Sequence, residues 1–380
     1  MAIKTLLRLS DRLRNAWRAV AAMVVIAALV PASPAGAQSL SQGKGDLRVM
    51  TRNLYLGASL IGASGARTPG ELAVAVTGII ANVRATNPPE RMAAIAREIA
   101  DAQPHLVSLE EVTTWRTGFA PTNLRVEFDN LQLLLSELAA QGQSYTLLVQ
   151  VPQFDFTAPS STGEFVRLTF GTALLARTDL PPELFQVSNP HGNRYQAFFP
   201  IPVPSVGITI PNYSSWVSVD VTFHGQQFRF IGTHLEPFVP PITIAQSAEL
   251  LQGPASTSLP VIVAGDFNSD ANNPGDPSFS VYQNVLGAGF FDAWATVNHF
   301  DFGSTCCQNQ NVANAVSLLN RRIDLVMLRG PFHVQVAELF GDDPDDRTLS
   351  GLWPSDHAGL VVRLQLRHKP SEGPTRDPRD

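Results

Sequence analysis

Polar residues able to bind a metal ion or a phosphate group follow several apolar, strand-like runs of this sequence. In "PVIVAGDFNSD" an acid and an amide two residues apart follow such a run. Burying these groups without partners is costly, so partners are expected. The positions with this pattern are Asn53, Glu111, His234, Asp266, Asn268, Asp324, Asp356 and His357. For any one of these positions taken alone, a structural role is the favoured explanation, since strand ends often carry Asp or Asn as simple turn formers. Only the whole set indicates a site.

The composition of this set predicts its chemistry. If the strand ends meet at one edge of a sheet, the carboxylates raise one another's pKa unless a cation offsets their charge. Oxygen-rich ligands favour Mg²⁺, with Mn²⁺ or Ca²⁺ as alternatives, whereas zinc prefers more His or Cys. Such a metal neutralises a phosphate group, and histidines bind phosphoryl oxygens or transfer protons. The set therefore predicts metal-dependent hydrolysis of a phosphoester.

Strand-like and helical patterns along the chain predict how these residues are positioned. "PHLVSLEEV" and "WVSVDVTFHGQQFRFIGTHL" are typical of strands, with a hairpin turn at His224-Gly225. "PPERMAAIAREIADA", "NLQLLLSELAAQG" and "ITIAQSAELLQG" have apolar residues at helical spacing. The order of elements predicts an α/β fold: a four-layered α/β sandwich, two mixed β-sheets packed face to face with helices outside. Residues 152–161 and 189–215, rich in Pro and Ser, are predicted to be long loops.

The two ends of the chain differ from its middle. Basic residues precede an apolar run at 19–30, and Ala35-Gly36-Ala37 fits a signal-peptidase site. The run is shorter than the ~20 residues that span a bilayer, and no later run is long enough, so no transmembrane segment is expected in the mature chain. We therefore expect a secreted or periplasmic protein. The predicted divisions are a signal peptide at 1–37, a linker at 38–46, a catalytic domain at 47–367 and a disordered polar tail at 368–380.

Charge and cysteine content limit the function classes. Removing the leader takes away five basic residues and one acid, which changes the net charge from −6 to −10. This balance disfavours non-specific binding to nucleic acid, which needs clustered Lys and Arg. Adjacent Cys306 and Cys307 form a vicinal disulfide, pair between chains or stay reduced, and we favour a local loop staple. With no His nearby in the sequence, they make a poor zinc site.

The motifs "GDFN", "RIDLV" and "SDH", in this order, resemble the endonuclease/exonuclease/phosphatase superfamily, in particular an exported bacterial branch similar to deoxyribonuclease I and neutral sphingomyelinases. The resemblance extends from about Leu47 to about Leu366. It implies that Glu111 ligates the metal and that Asn53 holds the network beside it, with Asp356 supporting metal or water.

The same resemblance implies the catalytic and substrate-binding residues. Asp266 orients or activates the attacking water, and Asn268 binds a phosphate oxygen. Asp324 pairs with His357, which contacts the phosphate or acts as acid or base. His234, in "GTHLEP", is similar to the Thr-His-Leu of sphingomyelinases and inositol phosphatases rather than to the Tyr of apurinic endonucleases. Whether Asp266 or His357 is the general base stays open.

Two further residues are relevant to this set of candidate site residues. Glu110 occupies a position where the family usually has Gln, and we expect it to face solvent because neighbouring strand residues point to opposite faces. Arg194, in "HGNRYQAFF", is a candidate contact for phosphate or a head group.

The function expected from these features is that of an exported Mg²⁺-dependent phosphodiesterase. A phospholipid head group is slightly favoured as substrate, with contact to a membrane surface through apolar loops such as "PFVPPITI". The alternatives are a secreted endonuclease or deoxyribonuclease, a phosphomonoesterase and a non-catalytic binding module. The partner is thus a phosphoester of lipid or nucleic acid, and no feature calls for an obligate protein partner.

Overall fold

A computed structural model describes residues 45–366 of the chain. The predicted signal peptide and tail, and most of the predicted linker, lie outside these residues. Within 45–366, no helix combines the length and apolar character needed to cross a membrane.

Within the described part of the chain, thirteen strands form two mixed sheets, which we call sheet A and sheet B. Sheet A has the order β12-β13-β1-β2-β5-β4, with β3 paired to β2, and sheet B has the order β10-β11-β9-β8-β7-β6. In each sheet one pair is parallel, β1 with β2 and β8 with β9. The strands are β1 (Leu47–Asn53), β2 (Leu106–Gly118), β3 (Arg125–Asp129), β4 (Tyr145–Pro159), β5 (Phe165–Arg177), β6 (Phe185–Val203), β7 (Ile208–Phe223), β8 (Gln226–His234), β9 (Val261–Asp266), β10 (Phe291–Asp292), β11 (Asp324–Arg329), β12 (Phe332–Phe340) and β13 (Gly359–Leu366).

Helices cover the outer faces of the two sheets. A hydrophobic core between the sheets joins residues such as Leu106 of sheet A to Phe230 of sheet B. Helices α3 and α4 pack on sheet A, and α5 and α6 pack on sheet B. The described helices are α1 (Ile61–Ser64), α2 (Pro69–Ala85), α3 (Pro88–Ala102), α4 (Asn130–Ala140), α5 (Pro240–Gln252), α6 (Phe279–Gly287) and α7 (Ala293–Val297), with a 3₁₀ turn at Pro344–Asp346. The predicted four-layered α/β sandwich is confirmed.

Local sequence explains the elements that position the site. Every residue of β1 and of β9 is buried, as expected for central strands covered on both faces. Helix α3 begins with two prolines, Pro88 and Pro89, and buries Met92, Ile95 and Ile99, which share one face. The β7–β8 hairpin turns at His224-Gly225, both with positive φ, as a two-residue turn requires.

The prediction of loops at 152–161 and 189–215 is wrong. Residues 152–159 belong to β4, and most of 189–215 belongs to the long hairpin of β6 and β7. Strands β4 and β6 are the edges of their sheets, where Pro is tolerated because one side of the strand needs no hydrogen-bond donors. The prolines that indicated loops therefore mark edge strands. Helices α1, α2, α6 and α7 were not predicted.

Candidate active site

One row of paired residues crosses sheet B and carries several of the predicted catalytic side chains. Asp324 on β11 lies opposite Asp266 on β9, which pairs with His234 on β8. Ser215 on β7 and Arg194 on β6 continue the same row. Paired positions on neighbouring strands direct their side chains to the same face. The register therefore brings three predicted catalytic residues together, although they are far apart in sequence.

The turn after β9 fixes the orientation of Asp266. Gly265 passes so close to Thr233 that a Cβ would clash with the Thr233 carbonyl. Asn268 has a φ of 47°, in the left-handed region that Asn tolerates. Its backbone N–H donates to Asp266 Oδ1 at 2.9 Å, and its Nδ2 donates to the Leu235 carbonyl at 2.8 Å. "GDFN" thus holds its acid and its amide in one compact turn.

Asp324 and His357 form a buried acid–histidine pair. His357 Nδ1 lies 2.8 Å from Asp324 Oδ2, so the hydrogen bond orients the ring and leaves Nε2 for other contacts. Burial alone lowers the pKa of His357, but the carboxylates of Asp324 and Asp356 outweigh it and raise the pKa well above its ordinary value. Ligand atoms of Asp266, Asp324 and His357 all lie within 4.8 Å of one another. The pairing predicted for Asp324 and His357 is present.

Asp266 and His234 have pKa values displaced in opposite directions. Burial, reinforced by the charge of Asp324, raises the pKa of Asp266 to about 8. Burial, reinforced by His357, lowers the pKa of His234 to about 4. His234 Nε2 lies 3.7 Å from Asp266 Oδ2, and its Nδ1 has no hydrogen-bond partner within residues 45–366 although it is buried. The imidazole is therefore neutral near pH 7 and retains hydrogen-bonding capacity.

Sheet A contributes the predicted metal ligands. Asn53 ends β1 and accepts a hydrogen bond from the Tyr55 N–H at 2.9 Å, and its Nδ2 lies 3.5 Å from Asp266 Oδ2 in sheet B. Glu111 lies at a bulge in β2 and accepts from the Leu56 N–H at 2.7 Å. Burial and then the charge of Asp356 raise the pKa of Glu111 to about 7.

The donor chemistry of Asn53, Glu111 and Asp356 fits a divalent cation. The two carboxylates repel each other in a largely buried place, and a bound cation would offset that repulsion. An amide hydrogen-bonded to Glu111 completes an oxygen-rich set. These three residues remain the predicted metal ligands.

The expectation that Glu110 faces solvent is wrong. Its side chain is fully buried and accepts hydrogen bonds from Ser108 Oγ at 2.6 Å and Thr51 Oγ1 at 3.0 Å. Ser108 itself touches Gly232 of sheet B, where an added Cβ would lie 2.5 Å from its Oγ. The face opposite the helices is thus the space between the sheets, not solvent. Burial raises the pKa of Glu110 well above its ordinary value.

Two buried arginines that sequence reasoning missed support the site from behind. Arg52 donates to the backbone carbonyl of His357 and pairs with Glu98 at 2.9 Å. Arg91 donates to the carbonyls of Leu54 and Pro354, each at 3.0 Å. A signal was present, because Arg91 and Glu98 are seven residues apart on α3 and therefore share its buried face. Charged residues at core-facing helical positions indicate a structural ion pair or anchor.

Arg194 and the cysteines lie at the margins of the site. Arg194 is exposed, donates to the Pro152 carbonyl at 2.6 Å and lies over the Tyr213 ring at 4.7 Å, so its role as a substrate contact stays a prediction. Cys306 and Cys307 form the vicinal disulfide, one of the predicted alternatives. The expectation of no nearby His is wrong in space, because Cys307 Sγ lies 3.9 Å from His357 Nε2.

Comparisons with solved structures place this fold among known proteins. An endonuclease/exonuclease/phosphatase family protein from Leptotrichia buccalis matches with a TM-score of 0.53 and 17% identity, over 84% of this chain and 99% of the other. A mannosyl-6-phosphatase from Bacteroides thetaiotaomicron matches with a TM-score of 0.50 and 17% identity, over 84% and 99%. The human Nocturnin catalytic domain matches with a TM-score of 0.50 and 19% identity, over 85% and 94%. No curated protein matches the sequence.

The sequence profile of the Endonuclease/Exonuclease/phosphatase family matches residues 66–357. This range contains all the candidate site residues except Asn53. The chain therefore belongs to the Endonuclease/Exonuclease/phosphatase family, and it is a metal-dependent phosphoric ester hydrolase of the phosphodiesterase and nuclease type.

Proposed function

We propose that the chain is an exported, Mg²⁺-dependent phosphodiesterase whose substrate is a phospholipid-type phosphodiester. The observation that carries the chemistry is the buried cluster of Asp266, Asp324 and His357, with ligand atoms within 4.8 Å of one another. Asn53 of sheet A reaches this cluster, since its Nδ2 lies 3.5 Å from Asp266 Oδ2. The cluster therefore lies where acidic and histidine side chains of the site meet the predicted metal ligands.

Asn53, Glu111 and Asp356 would hold the metal ion. When bound, Mg²⁺ supplies neutralisation of the phosphate and of the charge that develops on the leaving oxygen. Its preference for one or two carboxylates with water and phosphate oxygens matches this set. Mn²⁺ and Ca²⁺ accept the same kind of ligands and belong in a metal titration.

Side chains at the strand ends of sheet B, together with His357, which precedes β13 of sheet A, bind the phosphoester and move protons. Asp266, with its raised pKa, accepts a proton from the attacking water or holds that water in line. His357, oriented through Nδ1 by Asp324, presents Nε2 to a phosphoryl oxygen or to the leaving group. Neutral His234 and the Asn268 amide hydrogen-bond to the non-bridging oxygens.

Three features support a lipid substrate over nucleic acid. The expected mature charge of −10 opposes the approach of a polyanion. The segment after His234 exposes Phe238, 63% accessible, only three residues from Leu235, whose carbonyl accepts from Asn268 Nδ2. An exposed aromatic residue this close to the site suits contact with a lipid surface. Export would give the enzyme access to extracellular or envelope phospholipid.

A paired substrate assay tests this proposal. Purified protein is incubated with labelled sphingomyelin and with supercoiled plasmid, each with Mg²⁺ or with EDTA. We expect Mg²⁺-dependent release of the phosphorylated head group and little nicking of the plasmid. Rapid metal-dependent DNA cleavage without lipid turnover would reject the lipid substrate in favour of a nuclease.

Variants connect the activity to the site. Asp266→Ala and His357→Ala should abolish hydrolysis of bis-p-nitrophenyl phosphate, whereas His333→Ala, an exposed histidine of β12, should not change it. Unchanged turnover in Asp266→Ala and His357→Ala would favour a non-catalytic binding module. A clear preference for p-nitrophenyl phosphate over the diester would favour a phosphomonoesterase.

A further inference from the structure

A second group of potential metal ligands lies beside the candidate active site. The sulfur atoms of Cys306 and Cys307 and a ring nitrogen of His357 all lie within 4.8 Å of one another. Cys307 Sγ is 3.9 Å from His357 Nε2, the atom that faces the phosphoester in the proposed function. Sulfur and imidazole nitrogen are ligands for zinc-class cations, whereas the predicted magnesium ligands offer oxygen atoms. The two groups therefore select cations of different classes.

The distances suit a tetrahedral cation. Zinc binds thiolate sulfur at ~2.3 Å and imidazole nitrogen at ~2.0 Å, which places two such ligand atoms ~3.6 Å apart. The observed separation of Cys307 Sγ and His357 Nε2, 3.9 Å, differs from this value by an amount that a small side-chain rotation removes. Two sulfur ligands of one zinc ion lie ~3.8 Å apart, so both cysteines can bind it only after the S–S bond is broken.

Asp324 orients His357 as a metal ligand. Histidines that bind metals almost always donate their other ring N–H to a carboxylate, a carbonyl or water, which fixes the tautomer and the ring orientation. His357 Nδ1 lies 2.8 Å from Asp324 Oδ2, so this partner is already in place. The same contact directs Nε2 away from Asp324 and leaves it for the sulfur side of the site.

Backbone hydrogen bonds hold the cysteines beside His357 without help from the disulfide. The Cys306 N–H donates to the Arg321 carbonyl at 3.0 Å, and the Arg321 N–H donates to the Cys306 carbonyl at 3.0 Å. On the other side, the Gln308 N–H donates to the Asp356 carbonyl at 2.8 Å. Because the disulfide joins adjacent residues, its reduction opens no loop between distant segments. The thiols therefore stay near Nε2 when the bond is cut.

We propose that reduction of the disulfide between Cys306 and Cys307 creates an inhibitory site for a thiophilic divalent cation of the zinc class, bound by both sulfurs and by His357 Nε2. Occupation of this site stops hydrolysis because Nε2 is no longer free for the phosphoester. The disulfide thus protects the histidine from soft cations. Only the inhibition rests on the proposed function, since the metal site depends on its three ligands alone.

The steps balance without a further reactant. A dithiol supplies two electrons and two protons, which convert the disulfide into two thiols, and the dithiol leaves as a cyclic disulfide. Cys307 is half-buried, so part of it is open to a reductant and to a cation. The cation then displaces the two thiol protons, and any proton on Nε2, to the solvent.

Cadmium, a soft divalent cation, tests the site without catalysis. Metal-free protein is reduced with dithiothreitol, desalted under argon and titrated with Cd²⁺ while the ultraviolet charge-transfer absorption of cadmium–thiolate bonds is recorded. Because the chain has 2 cysteines in all, the signal comes from this pair. We expect saturation at a single Cd²⁺ per chain in the reduced protein and no such absorption in the oxidised protein.

Variants identify the three ligands. His357→Ala should lower the affinity for Cd²⁺ by ~10-fold or more, at least the cost of losing an outer partner of a metal-bound histidine. His333→Ala, an exposed histidine of β12, is the matched control and should leave the titration unchanged. The double variant Cys306→Ser with Cys307→Ser should lose the absorption. If it does not fold, Cys307→Ser alone should bind more weakly and absorb less per bound cation.

Inhibition is measured with bis-p-nitrophenyl phosphate in excess Mg²⁺. Zn²⁺ should inhibit the reduced protein at a concentration at least ~10-fold below that needed for the oxidised protein, whose sulfurs offer no thiolate. Absence of absorption in the reduced protein, or unchanged Cd²⁺ affinity in His357→Ala, overturns the metal site. Equal inhibition of both forms overturns the inhibitory role. If neither form hydrolyses a phosphodiester, the proposed function fails and the cadmium titration still decides the metal site.

Discussion

Arg52 and Glu98 form a buried pair whose removal should separate stability from activity. Arg52 is fully buried, and its Nη2 lies 2.9 Å from Glu98 Oε1. Glu98 is itself only 6% accessible. The other end of the guanidinium donates to the His357 carbonyl. We consider Arg52→Met, Glu98→Leu and the double variant. The pair stabilises the fold, but only Arg52 touches the backbone of the catalytic histidine.

The expected magnitudes follow from burial. Removing Glu98 leaves a buried guanidinium without its carboxylate, and removing Arg52 leaves a buried carboxyl that must take up a proton, because burial already raises the pKa of Glu98 to about 7. Each single variant should lower the free energy of unfolding by ~3–5 kcal/mol. Removing both partners leaves no unpaired charge. The double variant should therefore be destabilised by at least ~2 kcal/mol less than the sum of the single variants. Loss of the Arg52 anchor lets His357 shift, and a displacement of ~1 Å costs ~100-fold in rate.

Equilibrium unfolding in urea and kcat for bis-p-nitrophenyl phosphate measure the two effects. Unfolding should show strong coupling between the two substitutions, whereas kcat should fall in Arg52→Met and in the double variant but much less in Glu98→Leu. Stability effects that add to within ~0.5 kcal/mol would refute the buried pair. An equal loss of kcat in both single variants would refute the positioning role of Arg52.

Three further outcomes follow from the geometry. Asp324→Asn should lower kcat by ~10²–10⁴-fold with little change in the urea midpoint, because it disturbs the hydrogen bond that orients His357. Glu110→Gln should keep the unfolding free energy within ~1 kcal/mol, whereas Glu110→Ala, which leaves a cavity and unpaired hydroxyls, should cost ~2–4 kcal/mol. His105 has a pKa of about 4 in the folded protein, lowered from 6.5 by burial and nearby arginines. As the pH falls, His105 is therefore protonated in the unfolded chain before it is protonated in the folded protein. Between pH 7 and pH 5 this difference should lower the free energy of unfolding by about 2 kcal/mol. Unfolding in urea at several pH values should show that His105→Phe lacks this contribution.

The polar set at strand ends was predictable because two independent constraints act on it. Runs such as the one before Asp266 are apolar enough to require burial, and the acid that ends the run requires a partner. The sequence does not show directly how the strands pair. Their pairing aligns Asp324, Asp266 and His234 in one row of sheet B. Residue type and strand position indicated the members of the site, and only strand pairing reveals their order.

Glu110 shows where reasoning from a single strand fails. Alternation assigned Glu110 and Glu111 to opposite faces of the strand, but it does not say what covers each face. In a four-layered sandwich the face turned away from the helices meets the second sheet, so a residue there is more buried, not less. The expected solvent exposure of Glu110 was wrong, because exposure depends on the partner sheet.

Substrate specificity is expected to reside in the segments whose sequence was least informative. The prolines of β4 and β6 indicated loops, yet these edge strands, with helices α1 and α2 that were not predicted, line an apolar cavity. Edge strands tolerate Pro and irregular pairing because they are free of a neighbour on one side. The same freedom lets them adapt their shape to a ligand without disturbing the row that contains Asp266 and Asp324. The chemistry therefore resides in the central strands, and substitutions in the edge strands should leave the hydrolytic residues in place.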